Sequence, residues 1–409
     1  MNEYQSLKQN NSSGATNFDI FPKTFEGKPD HSVDGSEQRL PDFLIKWANY
    51  FDKFRLFLYL ALKGRSLNRP YYAHYQITRR CNFRCGSCQT WQDKTFHKGL
   101  SLDEMRIAAR NFRKIGVKCL ALSGGEALLR KDIVEVVRVF RSAGLIVRLQ
   151  TNGYLLTEDL LERLFRAGVA DIYISLDSLD QQVFNLINGI ERSDAFDRVL
   201  NSIKAAAKVS RRYGSGVFLT TVLRNHNVKE VEGLYKFAKD LGVLVGFYGI
   251  EIPPSDSQLN IRSSDPGQVP SREDRIELKK VFRRLIALRE KSNTALSVSK
   301  KLLEDFRDFF DGPEGDMHWN CNAGDMYVEL VPDGSISVCN ATSPIDGLTY
   351  ETLPEFYDSA ARDGIFKQKR QSCDGCICTR QLEYITTDFS DLTGKAYAYI
   401  LSLIRRTRL

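Results

Sequence analysis

The chain has 409 residues, of which 42% are hydrophobic and 27% are charged. This length is enough for about two domains with a substantial core, and the composition excludes a disordered or collagen-like protein. The formal charge of +7 comes from 58 basic and 51 acidic residues that are interspersed along the chain. This interspersion argues against a nucleic-acid-binding stripe, so nucleic acid is not an expected partner. The sequence contains no stretch of about 18 uncharged apolar residues, so no membrane-spanning helix is predicted.

The nine cysteines carry most of the functional information in the sequence. The N-terminal residues MNEYQSLKQNNSSGATNF lack the basic-then-apolar arrangement of a signal peptide. In a reducing compartment, cysteines hold metal more often than they form disulfides. We therefore expect a cytoplasmic protein with metal-bound cysteines.

The two ends of the chain differ in character from the middle. Residues 1–40 are polar and predict a flexible tail, whereas residues 41–70 predict an amphipathic helix rich in Phe, Leu, Trp and Tyr. Residues 386–409 predict a second amphipathic helix with a basic end. Both helices either cover the bottom or the open edge of the main domain, or make a peripheral contact with a membrane surface.

Residues 71–295 alternate between apolar runs and amphipathic segments. The runs that predict buried parallel strands lie near 72–78, 118–122, 145–150, 171–177, 216–222 and 243–250. The helix candidates lie near 102–115, 132–143, 157–167, 195–211 and 229–240, and four of them precede the capping glycines Gly116, Gly144, Gly168 and Gly242. This alternation predicts a parallel α/β fold, either an open sheet or a partial (β/α)6 barrel related to the TIM barrel.

Three cysteines follow the first predicted strand within eight residues. Cys81, Cys85 and Cys88 lie in the segment CNFRCGSC, on one loop. A structural zinc site would need a fourth ligand, and no further cysteine or histidine lies close to this segment in the sequence. The nearest histidines, His74 on the strand and His97 beyond the loop, are expected to be structural or surface residues. Three thiolates suit a 4Fe–4S cluster whose fourth iron stays open to a ligand.

With this spacing the sequence resembles the radical S-adenosylmethionine (SAM) enzymes, which carry CxxxCxxC after the first strand of a partial barrel. Three further motifs carry the resemblance: Ser123-Gly-Gly-Glu126, Thr151-Asn-Gly153 and Ser175-Leu-Asp177, each at the end of a predicted strand. The resemblance implies that SAM is bound by Gly124, Gly125, Glu126, Asn152, Ser175 and Asp177. Two positions depart from the family pattern. Ser87 replaces a frequent aromatic residue, and Asn188-Gly189 replaces Arg-Gly.

The resemblance also implies the chemistry. A reduced cluster in this family cleaves SAM to a 5′-deoxyadenosyl radical, which abstracts hydrogen from a substrate, and an electron donor such as flavodoxin or ferredoxin reduces the cluster. No residue is indicated as a general acid or base. The protein part of such a site orients the reactants and excludes water.

A second group of cysteines lies in residues 315–385. Residues 326–339, MYVELVPDGSISVC, predict a hairpin that brings Cys321 towards Cys339, and a Cys373-x-x-Cys376 pair follows. The group resembles the twitch extension of radical SAM enzymes, a shortened SPASM domain, which implies an auxiliary 4Fe–4S cluster on these four cysteines, with Cys378 spare or an alternative ligand. A structural zinc site and unliganded cysteines are the alternatives. Cys119 is expected to be a buried core thiol.

The sequence thus predicts a radical SAM oxidoreductase that acts on a small-molecule, lipid or peptide substrate. The auxiliary cluster would assist net oxidation or bind the substrate. Because the segment ahead of the predicted barrel is short for a peptide-binding domain, a non-peptide substrate such as a sugar is favoured. The alternative from a different class is a catalytically silent iron–sulfur protein with a redox or scaffolding role, against which the three SAM motifs argue.

Overall fold

The computed structural model describes residues 41–63, 69–88, 90–93, 99–249, 271–291, 294–311, 321–339 and 342–371. The predictions for residues 1–40, His97, the cysteines at 373, 376 and 378, and residues 386–409 lie outside these ranges. Within them, the strands form one eight-stranded sheet.

The sheet has the strand order β6-β5-β4-β3-β2-β1-β7-β8. Its strands are β1 Tyr72–Gln76, β2 Cys119–Ser123, β3 Ile146–Thr151, β4 Val169–Ser175, β5 Gly216–Leu223, β6 Leu244–Gly249, β7 Tyr327–Leu330 and β8 Ile336–Ser337. All neighbouring pairs are parallel except β7 with β8. The sheet does not close within the described residues, so the predicted parallel α/β partial barrel is confirmed.

Helices connect the parallel strands. The helices are α1 Asp42–Lys63, α2 Leu102–Ile115, α3 Ile133–Ser142, α4 Glu158–Ala167, α5 Gln181–Asn188, α6 Ala195–Tyr213, α7 Val231–Leu241, α8 Arg272–Arg289, α9 Lys300–Asp311, α10 Leu353–Asp358 and α11 Arg362–Gln371. The sequence predicted α2, α3, α4, α6 and α7 within two residues at each end, because each has a strong apolar stripe. It did not predict α5 or helices α8 to α11.

The two faces of the sheet have opposite characters. On the face that packs against the helices, Tyr75 of β1 contacts Phe140 of α3 edge to face, with ring centroids 6.0 Å apart. On the other face, the register places His74 and Gln76 beside Ala121 and Ser123 of β2. Polar side chains are therefore buried on the face that helices α2 to α7 leave uncovered.

The hairpin that the sequence predicted over residues 326–339 is present as β7 and β8. Its connection to the rest of the fold was not predicted. Strand β7 pairs in parallel with β1, with His74 opposite Glu329, so the hairpin extends the main sheet past its first strand. Helices α10 and α11 follow the hairpin, and the Tyr357 hydroxyl of α10 donates to the Gly324 carbonyl oxygen at 2.5 Å.

Helix α1 packs against α6 at the amino-terminal edge of the strands. The buried Asn49 amide donates to the carbonyl oxygen of Tyr213 at 2.9 Å, and the Lys53 ammonium lies 2.8 Å from the Asp171 carboxylate of β4. The opposite side of α1 exposes large apolar side chains, namely Phe43, Leu44, Trp47, Phe51 and Phe54. No helix among the described residues is long and apolar enough to cross a membrane.

Candidate metal centre and cofactor site

The loop that carries Cys81, Cys85 and Cys88 follows β1, with Cys81 five residues after the end of the strand, and it is fixed against the turn that follows β2. The backbone N–H of Gly125 donates to the carbonyl oxygen of Thr78 at 2.8 Å. The N–H of Glu126 donates to the carbonyl oxygen of Arg80, also at 2.8 Å. The start of the cysteine loop is therefore held by the Gly-Gly-Glu motif.

The two glycines of this motif are required by the close approach of the two backbones. A Cβ on Gly124 would lie 2.2 Å from the Thr78 carbonyl oxygen, and one on Gly125 would lie 2.3 Å from the Arg80 carbonyl oxygen. Real Cβ atoms do not approach oxygen so closely. The sequence suggested that these glycines let a ligand approach, whereas the structure shows that they admit the chain segment that leads into the cysteines.

The Glu126 side chain is buried and joins β2 to β3. Its carboxylate accepts hydrogen bonds from the Leu128 N–H at 3.0 Å, the Thr151 hydroxyl at 2.7 Å and the Asn152 N–H at 2.8 Å. Burial raises the pKa of Glu126, and these donors oppose the rise. The Asn152 amide in turn donates to the Asn82 side-chain oxygen in the cysteine loop at 2.8 Å. Predicted SAM contacts Glu126 and Asn152 thus also support the loop.

The carboxyl end of α5 holds the other side of the cysteine loop. The Arg84 N–H donates to the Asn188 carbonyl oxygen at 3.0 Å, and the Cys85 thiol donates to the Asn188 side-chain oxygen at 3.3 Å. A Cβ on Gly189 would lie 2.2 Å from the Arg84 carbonyl oxygen. The Asn188-Gly189 pair, which departs from the family pattern, therefore forms the contact between α5 and the loop.

The three thiols of the loop are free and partly exposed. Burial raises the pKa of the Cys81 thiol to about 11, and burial also raises the pKa of Cys85, with the neighbouring thiols adding to both shifts. The Phe83 N–H donates to the Cys81 sulfur at 3.4 Å. Bound iron stabilises thiolates that such surroundings disfavour, and N–H donors to sulfur are typical of iron–sulfur sites.

This donor set fits a 4Fe–4S cluster better than a single ion. Among the described residues, no three His, Cys, Asp or Glu side chains are grouped so that they could hold one metal ion. A cluster binds each cysteine through a different iron, so its ligands stand farther apart than those of one ion. Three thiols on one loop, one of which accepts a backbone N–H, suit this arrangement.

The Ser175 and Asp177 side chains at the end of β4 lie in different surroundings. Ser175 is exposed, whereas Asp177 is buried and accepts the Val222 N–H at 2.8 Å. The Arg224 guanidinium lies 3.2 Å from the Asp177 carboxylate and donates to the Ser87 hydroxyl at 2.9 Å. Burial raises the pKa of Asp177, and the Arg224 charge opposes this. The sequence did not indicate Arg224, because no local pattern distinguishes it.

A buried polar network lies on the uncovered face of the sheet, below the end of β2. The His74 ring places Nε2 2.6 Å from the Ser123 hydroxyl and Nδ1 3.1 Å from the Glu329 carboxylate. The Tyr327 hydroxyl donates to Glu329 at 2.9 Å, and the Gln76 amide also donates to it. The Glu329 carboxylate is therefore shared by His74, Gln76 and Tyr327, and His74 belongs to this network.

The second group of cysteines is described in part. Cys321 and Cys339 lie on the two sides of the β7–β8 hairpin, and the Cys339 thiol donates to the Thr342 hydroxyl at 3.8 Å. The other three cysteines of the group lie outside the described residues, so the predicted ligand set stays a prediction. Cys119 opens β2 and is buried, and burial raises the pKa of its thiol to about 11. The predicted core position of Cys119 is confirmed.

The fold is a partial barrel of parallel strands, and the cysteine loop lies beyond the carboxyl end of β1. Residues 75–238 match the family model of the radical SAM superfamily. This match runs from within β1 to within α7 and includes the predicted SAM motifs, so the predicted resemblance to radical SAM enzymes is confirmed for this part of the chain. A radical SAM domain implies a 4Fe–4S cluster and SAM as cofactors.

The chain is similar in sequence to two kinds of curated protein. A GTP 3′,8-cyclase from Marinobacter nauticus is 37% identical over 189 residues, which are 45% of this chain and 54% of that protein. An AdoMet-dependent heme synthase from Methanosarcina barkeri is 32% identical over 178 residues, 43% of this chain and 49% of that protein. The chain therefore spans about half the length of the curated relatives it matches.

Solved structures show the same fold over a larger part of the chain. Streptococcus suis SuiB bound to S-adenosylmethionine superposes with a TM-score of 0.57 at 16% identity, covering 80% of this chain and 76% of that one. The structure of anSMEcpe with bound AdoMet and the Cp18Cys peptide has a TM-score of 0.54 at 17% identity, covering 83% of this chain and 100% of that one. At these identities the likeness concerns the fold alone.

Proposed function

We propose that this protein reductively cleaves SAM to a 5′-deoxyadenosyl radical and uses it to abstract hydrogen from a substrate. The observation that carries this proposal is the loop with three free thiols, which β1, the Gly-Gly-Glu turn and the end of α5 hold from three directions. Such preorganisation is what a cluster with an open iron requires, since the ligands and their supports must stand in place before SAM binds.

The residues divide into holders of the cluster and holders of SAM. Cys81, Cys85 and Cys88 would bind the cluster, which supplies the electron for SAM cleavage when it is bound. The SAM contacts that we propose lie at the ends of β2, β3 and β4, namely Gly124, Gly125, Glu126, Asn152, Ser175 and Asp177. Ser175 is exposed at this edge and has its hydroxyl available, whereas Glu126 and Asp177 would act mainly by orienting the surrounding backbone.

The substrate would bind above the polar network of His74, Gln76, Ser123 and Glu329. These side chains lie near the carboxyl ends of β1 and β2, the edge where parallel barrels carry their active sites. Buried hydrogen-bonding groups favour a substrate with polar groups, either a small molecule or a peptide segment. Relatives named for GTP cyclisation and a fold relative solved with precursor peptide SuiA support both classes.

We also propose an auxiliary 4Fe–4S cluster on Cys321, Cys339, Cys373 and Cys376. The positions of Cys321 and Cys339 on the two sides of the β7–β8 hairpin support it. Because β7 pairs with β1, this cluster would stand beside the barrel and either take an electron from the substrate or bind it. A small electron carrier such as flavodoxin or ferredoxin would reduce the SAM-binding cluster.

A peripheral membrane contact through α1 is a further part of the proposal. The side of α1 that faces away from α6 exposes Phe43 by 58%, Trp47 by 68% and Phe51 by 56%, at a spacing of one helical turn. Aromatic side chains on one face of a helix are suited to the boundary between lipid headgroups and acyl chains. The protein would otherwise be cytoplasmic.

Electron paramagnetic resonance (EPR) of the anaerobically reconstituted protein tests this function. We expect about eight irons per chain and, after reduction, a cluster signal that changes when SAM is added. Replacing Cys81, Cys85 and Cys88 together with Ala should leave about four irons and a signal that SAM does not change. If SAM does not change the signal of the unmodified protein, the alternative of a catalytically silent iron–sulfur protein is favoured. If the protein contains one zinc and about four irons, only the proposal of an auxiliary cluster is contradicted.

A further inference from the structure

A buried arginine links the end of β5 to the cysteine loop. Arg224 follows β5 directly and is 2% exposed. Its guanidinium donates through one terminal nitrogen to the Ser87 hydroxyl at 2.9 Å and through the other to the Asp177 carboxylate at 3.2 Å. Ser87 immediately precedes Cys88, so the contact acts on the backbone that positions the third thiol.

The charge of Arg224 is only partly compensated by the protein. Burying a guanidinium costs several kcal/mol unless its charge is paired and its N–H groups are bonded. Asp177 supplies one carboxylate, which the Val222 N–H shares. The Nε of Arg224 is fully buried and has no hydrogen-bond partner among the described residues. A purely structural arginine at such a cost would be expected to have all its donors paired.

The cysteine loop would supply the missing negative charge when a cluster is bound. The Arg224 guanidinium bonds to Ser87, the residue next to Cys88, so its charge lies beside the cysteine loop. A 4Fe–4S cluster with three thiolate ligands is anionic, and reduction adds a further negative charge. A buried cation beside it therefore stabilises the reduced form more than the oxidised form.

We propose that Arg224 is a positioning residue that orients the loop through Ser87 and raises the reduction potential of the SAM-binding cluster. The inference rests on the proposed function, because it requires a cluster on Cys81, Cys85 and Cys88. The Asp177 carboxylate moderates the effect. Replacing Arg224 and replacing Asp177 should therefore move the potential in opposite directions, which a merely structural role for either residue would not do.

The test is a redox titration of the reconstituted protein. The titration is monitored by the EPR signal of the SAM-binding cluster, which is identified by its change when SAM is added. We expect Arg224→Met to retain iron and to lower the ratio of reduced to oxidised cluster about tenfold at a fixed potential, a shift of about 59 mV for one electron. Arg224→Lys should recover most of this shift because it keeps the charge. Asp177→Asn should shift the midpoint to a higher potential. The exposed Arg106→Met, on α2, serves as a control and should leave the midpoint unchanged.

The outcomes separate this inference from the proposed function. If the unmodified protein shows no signal that SAM changes, the proposed function fails. If it does, and Arg224→Met and Arg224→Lys both keep the wild-type midpoint with full iron content, the role of Arg224 is refuted. If Arg224→Met loses its cluster, Asp177→Asn decides, since a midpoint at or below the wild-type value contradicts the inference.

Discussion

Single residues of the Gly-Gly-Glu motif support the backbone of the loop that carries the cysteines. Gly124 and Gly125 admit the backbone of Thr78 and Arg80, and Glu126 fixes the turn from within. Each of these motif residues was found in the sequence, and each has a supporting role that the sequence did not reveal. A motif that binds a ligand in a family therefore also contains the contacts that hold the binding loop in shape.

Gly125→Ala tests this supporting role. The new Cβ would lie 2.3 Å from the Arg80 carbonyl oxygen, so the cysteine loop must move. We expect a loss of about 1–3 kcal/mol in the free energy of unfolding and a clear loss of iron from the SAM-binding site. Urea unfolding and iron analysis measure both. Gly364→Ala is the matched control, since its Cβ would meet nothing within 4 Å, and wild-type iron content in both variants would contradict the supporting role.

The Glu329 carboxylate is the common acceptor of the buried polar network. In Glu329→Gln, one carboxylate oxygen becomes an NH2 group that opposes a donor from His74, Tyr327 or Gln76. Because a buried donor without an acceptor costs about 1–3 kcal/mol, we expect a loss of stability of that size. Tyr327→Phe removes one donor only and should cost less. Equal unfolding midpoints for the wild-type protein and Glu329→Gln would show that the network contributes nothing to the fold.

At the scale of elements, the sequence predicted what local periodicity determines. Strands β1 to β6 and helices α2, α3, α4, α6 and α7 have clear apolar patterns and glycine caps, so they were predicted close to their observed bounds. Helix α5 has only eight residues, too few for a clear period, although it holds the cysteine loop. The pairing of β7 with β1 joins segments more than two hundred residues apart, which no local pattern specifies.

Helix α1 is anchored by a buried ion cluster. Burial alone would raise the pKa of Asp171, but the Lys53 and Arg148 charges outweigh it and hold the pKa below its ordinary value. The ammonium of Lys53 lies 2.8 Å from Asp171 and its side chain is 13% exposed. Removing α1 would leave the Asp171 carboxylate without this partner. One face of α1 therefore stabilises the barrel, independently of what its exposed face contacts.

Lys53→Met measures this anchor. At pH 7 we expect the free energy of unfolding to fall by about 3 kcal/mol. This value is at the low end for breaking a buried ion pair because Arg148 still compensates the Asp171 charge. The ion pair contributes above the unfolded-state pKa of Asp171, and its contribution falls as the pH drops through the lower folded-state pKa. The difference in the free energy of unfolding between the wild-type protein and Lys53→Met should thus become smaller below about pH 4. Urea unfolding at several pH values checks this, and a difference that stays constant down to pH 3 would argue against the charge pair.

At the scale of the whole molecule, α1 presents one bound face and one aromatic face. A variant with Phe43, Trp47 and Phe51 all replaced by Ser keeps the buried contacts of Asn49 and Lys53. We expect the wild-type protein to co-sediment with vesicles that contain phosphatidylglycerol, and this variant to lose most of that binding. Ile276→Ser, at another exposed apolar residue, is the control. Wild-type protein that stays in the supernatant at low salt would end the membrane proposal.

The proposed function requires that the loop of Cys81, Cys85 and Cys88 carries a cluster that cleaves SAM. The most direct measurement is the amount of 5′-deoxyadenosine formed when the anaerobically reconstituted protein is reduced in the presence of SAM. We expect product from the wild-type protein and none above background from Cys85→Ser, the cysteine that bonds to Asn188. The Cys339→Ser variant should still form product, since it leaves the SAM-binding loop intact. No product from the iron-loaded wild-type protein, or equal product from Cys85→Ser, would contradict the proposed SAM cleavage.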